Sequence, residues 1–325
     1  MAYTITDELL GEGVTTLNAG VNYLFPQRAE LINSALAARG PEVEALARGG
    51  SDLATIPYLN VLDSSVFNIS NENADKRGET GKLTASKFMA RRLNLNFGWK
   101  ATDLTKMKAM YDVTGGVRAG ITQYWNDVSM DMATSSIKGA LDSASDLTIE
   151  RSDEGAPTDI KEIYKGLASA EELATAFNVM IVHPIRYAEL QGDNAIAYDS
   201  NTRFEVSQGF RIIRSTRFGA DTTILARSGA LAFDFVDAPF VQATEVERHA
   251  GGGNGVGAET LWSRRSMVVH PQGFKYLGDA EEPAGADAAA KAAALRAELA
   301  DGANWELAVN VKNAPFRIYK HDVQG

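Results

Sequence analysis

The sequence contains no cysteine, and its basic residues are outnumbered by acidic ones. Without a thiol among 325 residues, disulfides, thiolate metal sites and a cysteine nucleophile are excluded. The 32 Lys and Arg residues stand against 42 Asp and Glu residues, which gives a net charge of −10. This balance argues against tight sequence-specific nucleic-acid binding, because such binding needs a basic surface that displaces counterions. The acidic net charge does not exclude weak contact with DNA.

The sequence also lacks a long hydrophobic run and a targeting signal. The N-terminus, MAYTITDELLGEG, is acidic and has neither the basic nor the apolar region of a signal peptide. No uninterrupted apolar run approaches the ~18–20 residues that span a bilayer. The sequence therefore predicts a soluble protein with no membrane partner. Its 45% hydrophobic content is enough for a sizeable core in one large or two ordinary domains.

Motifs that carry chemistry are scarce. Gly253, Gly255 and Ala258 give a nominal G-x-G-x-x-A, but a nucleotide-binding motif must open a helix, and a strand is predicted next. A hairpin tip is therefore favoured over dinucleotide binding. Ser228 lacks the first glycine of a G-x-S-x-G elbow. The four histidines, none with metal-ligand spacing, are His183, His249, His270 and His321.

These observations predict no catalytic residue, no cofactor and no metal site, so the chain is not expected to be an enzyme. The rival from the enzyme class is a Rossmann-like oxidoreductase that would use the glycine-rich loop at 251–257.

The longest periodic stretch covers residues 117–144, where apolar residues recur every three or four positions. This pattern predicts a spine helix about 42 Å long, well above the length of an average helix. Gly115 and Gly116 are expected to end whatever precedes it, and Asp112 or Thr114 to cap it. The expected core residues of the spine helix are Val117, Ile121, Tyr124, Trp125, Val128 and Met132.

Two hairpins are predicted on either side of this helix. In 66–99, VFNIS and RRLNLNFGW flank the polar NENADKRGETGK, and such a two-stranded unit needs a partner because it is marginal alone. In 240–271, FVQATEVERH and LWSRRSMVVHP flank GGGNGVGAE. The pattern in residues 151–235 predicts a small α/β unit. An alanine-rich helix is predicted for 286–300, and two short strands are predicted for 304–321.

Five segments carry a resemblance to a known family in their order along the chain. They are TIPYLNVL at 55–62, GKLTASKFMARRLNLNFGWKATDL at 81–104, VTGGVRAGITQYWND at 113–127, ERHAGGGNGVGAETLWSRRSMVVHPQGF at 247–274 and ELADGANWELAVNVKN at 298–313. Together they resemble the tailed-bacteriophage major capsid proteins, which have the HK-ninety-seven type shell fold.

The resemblance implies an α+β fold with a long spine helix, an extended β-hairpin loop, and peripheral and axial domains. Residues 1–62 would be an N-terminal arm, and 63–100 the extended loop that reaches over a neighbouring subunit. The peripheral domain would combine 101–150 with 236–325, and the axial domain would be 151–235.

The implied function is that of a major capsid protein that self-assembles into hexamers and pentamers of an icosahedral head. The implied partners are a separate scaffolding protein, a portal and decoration proteins, and the shell would enclose double-stranded DNA without sequence-specific binding. Assembly would take place in the host cytoplasm, and the product would be the virion. The alternative is an encapsulin-like bacterial nanocompartment shell protein.

Some relatives crosslink a lysine of the extended loop to an asparagine of a neighbour. Lys76, Lys82 and Lys87 lie in the corresponding stretch, but lysines in a polar hairpin are expected for solubility, so no crosslink is the default. Arginines could pair with acidic surfaces across subunits. The inter-subunit contact candidates are Lys82, Lys87, Arg91, Arg92, Arg264 and Arg265.

Overall fold

The chain combines six helices and fifteen strands in the part that the structure, a computed structural model, describes: residues 30–59, 65–73, 75–83, 85–109, 112–150, 163, 167–192, 197–199, 204–207, 209–237 and 241–320. The helices are α1 (Glu30–Asn33), α2 (Pro41–Arg48), α3 (Asp103–Ala109), α4 (Val113–Asp142), α5 (Pro184–Gly192) and α6 (Ala288–Ala300). Residues 1–29 of the predicted arm and His321 lie outside the described residues.

The strands in chain order are β1 (Ala37–Ala38), β2 (Leu53–Leu59), β3 (Ala85–Thr102), β4 (Thr148–Glu150), β5 (Phe177–Val182), β6 (Ala197–Asp199), β7 (Phe204–Ser207), β8 (Phe210–Arg214), β9 (Thr222–Arg227), β10 (Leu231–Asp237), β11 (Thr244–His249), β12 (Ala258–Pro271), β13 (Phe274–Tyr276), β14 (Trp305–Leu307) and β15 (Phe316–Lys320). Short 3₁₀ helices cover Ser145–Leu147, Ala168–Ala176, Gly302–Asn304 and Val311–Asn313.

Two large sheets organise these strands. The first has the order β1-β10-β12-β3-β2, with β11 also paired to β12, and the long antiparallel strands β3 and β12 form its centre. The second has the order β4-β15-β9-β5-β8-β7-β6. In it β15 lies between β4 and β9, parallel to the first and antiparallel to the second. Strands β13 and β14 form a separate pair. This mixture confirms the predicted α+β class.

The spine helix α4 exists, but its ends differ from the prediction. It begins at Val113, so Gly115 and Gly116 lie inside it, and it ends at Asp142. A helix tolerates interior glycine at a cost of roughly 0.5–1 kcal/mol, which packing elsewhere offsets. Asp112 occupies the N-cap position, yet its side chain makes no capping hydrogen bond. With 30 residues, α4 is about 45 Å long at ~1.5 Å per residue.

A single apolar stripe describes only the first half of α4. From Ser129 to Leu141 nearly every residue is buried, because this half lies inside the main core together with residues of α6 and of both large sheets. Gly139 lets α6 approach closely here, because a Cβ on it would overlap the Leu299 carbonyl. The prediction of a one-sided stripe was therefore incomplete.

The first predicted hairpin was wrong in its pairing. Its second arm is the long strand β3, but residues 65–73 form no strand, and β3 pairs with β2 on one part of its length and β12 on another. The hairpin that does form joins β2 to β3, with Leu59 opposite Ala85. The reason is that Val66, Phe67 and Ile69 offer too short an apolar run to compete with the seven-residue β2.

The remaining elements follow the predictions closely. The glycine-rich segment joins β11 to β12 in an antiparallel hairpin, α5 begins at Pro184, and the alanine-rich helix α6 is capped by Asp287, whose carboxylate accepts a bond from the Ala290 N–H at 2.8 Å. Leu295 and Leu299 are the buried residues of α6. The boundaries of the predicted arm, loop, peripheral and axial domains stay predictions.

Candidate assembly surface

The segment between β2 and β3 is the most exposed apolar part of the described chain. Residues 65–73 and 75–83 have no regular secondary structure, and nearly all are exposed. Phe67 is 76% exposed and Ile69 is 85% exposed, and Val66 and Leu83 are also mostly exposed. Folded monomers rarely leave such neighbouring apolar side chains in water unless they bind a partner. We call residues 65–83 the extended segment.

The ladder of β2 with β3 fixes the base of the extended segment. Seven residue pairs connect the two strands, from Leu53 opposite Arg91 to Leu59 opposite Ala85. Lys82 lies in the segment and Lys87 on β3 near its base, and both are exposed. The structure thus places these two predicted contact residues where a second molecule could reach them.

Arg91, by contrast, contacts residues of its own chain. It is 6% exposed, and its guanidinium donates to the Tyr276 hydroxyl at 2.9 Å and to the Glu281 carbonyl at 3.0 Å, and also pairs with the Glu298 carboxylate. Tyr276 donates to Glu298 at 2.7 Å. Burial, followed by this bond to Glu298, raises the pKa of Tyr276 to about 12. These contacts attach α6 and the loop before it to β3.

Arg92, another predicted contact residue, is buried as well. Its backbone N–H donates to the Asp52 carbonyl at 2.8 Å. Its guanidinium lies so close to Gly49 that a Cβ there would stand 3.3 Å from Nη2. The Arg92 side chain therefore extends from β3 and packs against the residues that follow α2.

Arg264 and Arg265, the last two candidates, differ from one another. Arg264 is half-buried on β12 and donates to the Gln242 carbonyl at 2.9 Å and to the Glu245 carboxylate at 3.0 Å. Arg265 lies over the rings of Phe235 and Trp125, at 4.5 and 5.5 Å from their centroids. Burial lowers the pKa of Arg265. The inter-subunit role of all six candidates stays a prediction.

The expected core residues of the spine helix are all on α4, with different burial. Trp125 and Met132 are buried, whereas Val117, Ile121, Tyr124 and Val128 are half-buried. The Trp125 indole N–H donates to the Ser263 hydroxyl of β12 at 2.9 Å, which places the helix on this strand. The Tyr124 ring packs against Trp99 of β3 at 5.0 Å and against Trp125 at 5.2 Å. Tyr124 and Trp125 thus fasten the helix to two neighbouring strands.

A polar cluster that the sequence did not reveal joins the β11-β12 hairpin to α3 and α4. Arg248 makes a two-point contact with Asp103, at 2.9 and 2.5 Å. Glu259 pairs with Lys106 and accepts a hydrogen bond from Thr114. The hydrogen bond from Arg248 lowers the pKa of Asp103, and the bonds from Lys106 and then Thr114 lower the pKa of Glu259. Its members are far apart in sequence, so no local pattern could have identified the cluster.

The glycine-rich loop is the tip of a hairpin. Gly253, Gly255 and Gly257 have φ values of 62, 91 and 106°, a region that favours glycine, and Asn254 has φ 59°. The loop leads into β12 and opens no helix, which contradicts the dinucleotide-binding interpretation.

The described residues show neither a metal site nor a membrane span. No group of three or more His, Asp or Glu side chains there could hold a metal ion. None of the helices in the same ranges combines the length and the apolarity that a membrane-spanning segment needs.

The chain is similar to known capsid proteins in sequence and in structure. It is 26% identical over 347 aligned positions to the major capsid protein of Bacillus phage SPP1, with 100% of both chains covered. Among solved structures, the capsid of Ralstonia phage GP4 matches with a TM-score of 0.53 and 11% identity, over 84% of this chain and 94% of that one. The Cyanophage Pam1 capsid matches with a TM-score of 0.52 and 10% identity, over 75% and 88%. No protein-family model matches.

The structural matches fall below 25% identity, so they establish the fold, while the match to the Bacillus phage SPP1 protein extends the similarity to the full sequence. The resemblance noted in the sequence is thereby confirmed: this chain has the shell fold of the tailed-phage major capsid proteins.

Proposed function

We propose that this chain is the major capsid protein of a tailed phage. The observation that carries the proposal is the end-to-end match to the major capsid protein of Bacillus phage SPP1, at 26% identity. The fold shared with the capsids of Ralstonia phage GP4 and Cyanophage Pam1 supports it. The role is structural: copies of the chain form a homo-oligomeric shell, and the chain is part of the virion.

The geometry suits a subunit whose stability is shared with its neighbours. A helix of 30 residues and two large sheets share one core in the body of the subunit. The extended segment leaves this body with its apolar side chains exposed. Obligate interfaces of the order of 2,000–5,000 Å² would bury such side chains in the assembled shell.

The finer features of the assembly are part of the proposal. The shell would be icosahedral, built from hexamers and pentamers, assembled in the host cytoplasm on a separate scaffolding protein, and closed by a portal, with decoration proteins where the phage has them. It would enclose double-stranded DNA without reading its sequence. A net charge of −10 fits a container that does not hold the packed duplex tightly.

The encapsulin-like alternative shares the shell architecture but would enclose a protein cargo. The relatives described above are phage proteins, which favours the capsid. Genes for a portal and a scaffolding protein beside the coding sequence would agree with a capsid, whereas a gene for a cargo enzyme would agree with a compartment.

Negative-stain electron microscopy of the purified full chain, with and without a co-expressed scaffolding protein, tests the proposal. We expect closed shells or capsomer rings. Uniform small monomers under every assembly condition would refute it. A thermal-shift series with nucleotides tests the enzyme alternative, since a ligand that binds the folded state raises its melting temperature. A flat response is expected.

A further inference from the structure

One asparagine side chain connects two distant parts of the extended segment, whereas the hydrogen bonds of Asn71 and Asn73 are local to its turn. Asn68 Nδ2 donates to the Glu79 carbonyl at 2.7 Å, and the Glu79 N–H donates to Asn68 Oδ1 at 3.0 Å. The carboxamide thus pairs with both backbone groups of a residue eleven positions away, as a neighbouring strand would. We call this pair of hydrogen bonds the Asn68 clamp. A carboxamide suits this role because its NH2 donor and its C=O acceptor lie side by side, as the groups of a peptide do.

A glycine leaves the room that the Asn68 clamp requires. A Cβ at Gly78, next to Glu79, would stand 3.1 Å from Asn68 Nδ2 and 3.5 Å from Cγ. The carboxamide would have to shift by a few tenths of an ångström to make room, which lengthens the hydrogen bonds of the clamp. Gly81, three residues further on, would meet nothing within 4 Å. Neither glycine has a positive φ, so alanine introduces no backbone strain at either position.

Asn68 lies between the two most exposed apolar side chains of the extended segment. Phe67 precedes Asn68 and Ile69 follows it, and both are turned to water. Acidic and basic groups of the segment balance, with Glu72, Asp75 and Glu79 against Lys76, Arg77 and Lys82. A partner would therefore be selected by apolar contact, with no net charge to attract one sign.

We propose that Asn68 is a positioning residue of assembly: its clamp fixes Phe67 and Ile69 in the arrangement that docks on an apolar surface of a second copy of this chain. This inference rests on the proposed function, which supplies the second copy as the occupant. Fixing the segment before docking removes part of the ordering entropy that association would otherwise cost.

The experiment compares four substitutions in the full chain under the conditions in which the wild type assembles: Asn68→Ala, Asn68→Asp, Gly78→Ala and Gly81→Ala. Light scattering against protein concentration gives the threshold for assembly, and calorimetry of the unassembled chain gives its melting temperature. Asn68→Asp keeps the acceptor and loses the donor to the Glu79 carbonyl.

We expect Asn68→Ala and Gly78→Ala to raise the threshold about tenfold, equivalent to ~1.4 kcal/mol. Asn68→Asp should raise it by an intermediate factor, and Gly81→Ala should match the wild type. All four melting temperatures should stay unchanged, because the segment contributes little to the core.

Three outcomes would overturn the inference. The first is an unchanged threshold for both Asn68→Ala and Gly78→Ala, and the second is an equal rise for Gly81→Ala. The third is a lower melting temperature that accounts for the raised threshold, as expected if the clamp acted within the subunit. A wild type that never assembles would refute the proposed function itself, so the two failures are distinct.

Discussion

Replacing Trp125 by alanine should remove a large part of the stability of the subunit. Trp125 is 1% exposed, donates to the buried Ser263 hydroxyl at 2.9 Å and packs on Tyr124 at 5.2 Å. Truncating a buried tryptophan costs roughly 3–5 kcal/mol, and leaving the Ser263 hydroxyl without this partner adds about 1 kcal/mol. The sum, about 4–6 kcal/mol, compares with a total of roughly 5–15 kcal/mol for a domain.

Urea unfolding of the unassembled chain, followed by far-UV circular dichroism, measures this loss without relying on tryptophan fluorescence. Trp125→Phe keeps most of the ring volume and loses the indole N–H, so about 1–2 kcal/mol is expected. Trp262→Ala is the matched control, because Trp262 is half-buried and its N–H bonds to the exposed Glu247. A loss below about 1 kcal/mol for Trp125→Ala would show that the core around α4 has been described wrongly.

Three other predictions follow from single residues. Gly139→Ala should destabilise the chain, because the added Cβ would overlap the Leu299 carbonyl of α6. Gly120→Ala on the same helix meets nothing within 4 Å and should stabilise the chain by roughly 0.5–1 kcal/mol. Urea unfolding should therefore give changes in the free energy of unfolding of opposite sign for the two variants. His270 is buried, and desolvation lowers its pKa from 6.5 to about 4. The unfolded state then takes up the proton first as pH falls, so stability should drop by about 2 kcal/mol between pH 7 and pH 5, and His270→Gln should abolish this part of the drop in urea titrations at both values. Denaturing gels of mature particles should show only the 35.0 kDa chain, and a ladder of multiples would instead indicate crosslinked lysines.

Local periodicity was sufficient to find the elements that carry their own pattern. The 3.6-residue repeat located α4, and glycines between two alternating segments located the β11-β12 hairpin. Neither pattern specifies which distant segments meet. The partners of β3, which are β2 and β12, are separated from each other by about two hundred residues, so the first hairpin was assigned to the wrong arm.

Burial of charge was equally hidden from the sequence. Arg91 was predicted as an inter-subunit contact, yet the acceptors that allow its burial, Tyr276 and Glu298, lie 185 and 207 residues away in its own chain. The second half of α4 is buried on most sides because α6 and both large sheets pack around it. The small residues of α4 permit this packing but do not reveal which elements take part. The Asn68 clamp was hidden too, because Asn68 stands between two apolar residues and its partner Glu79 is eleven positions away.

The position of β15 inside the second sheet has a consequence for synthesis. The ribosome makes β4, β5 and β9 long before residues 316–320, and β15 must then enter between β4 and β9. Until it does, both of those strands have a bare edge, and Phe316 and Ile318 are missing from the core. A chain that stops early therefore cannot complete this sheet. The strand that completes the second sheet is therefore the last one that the chain supplies, and the packing of its neighbours waits for it.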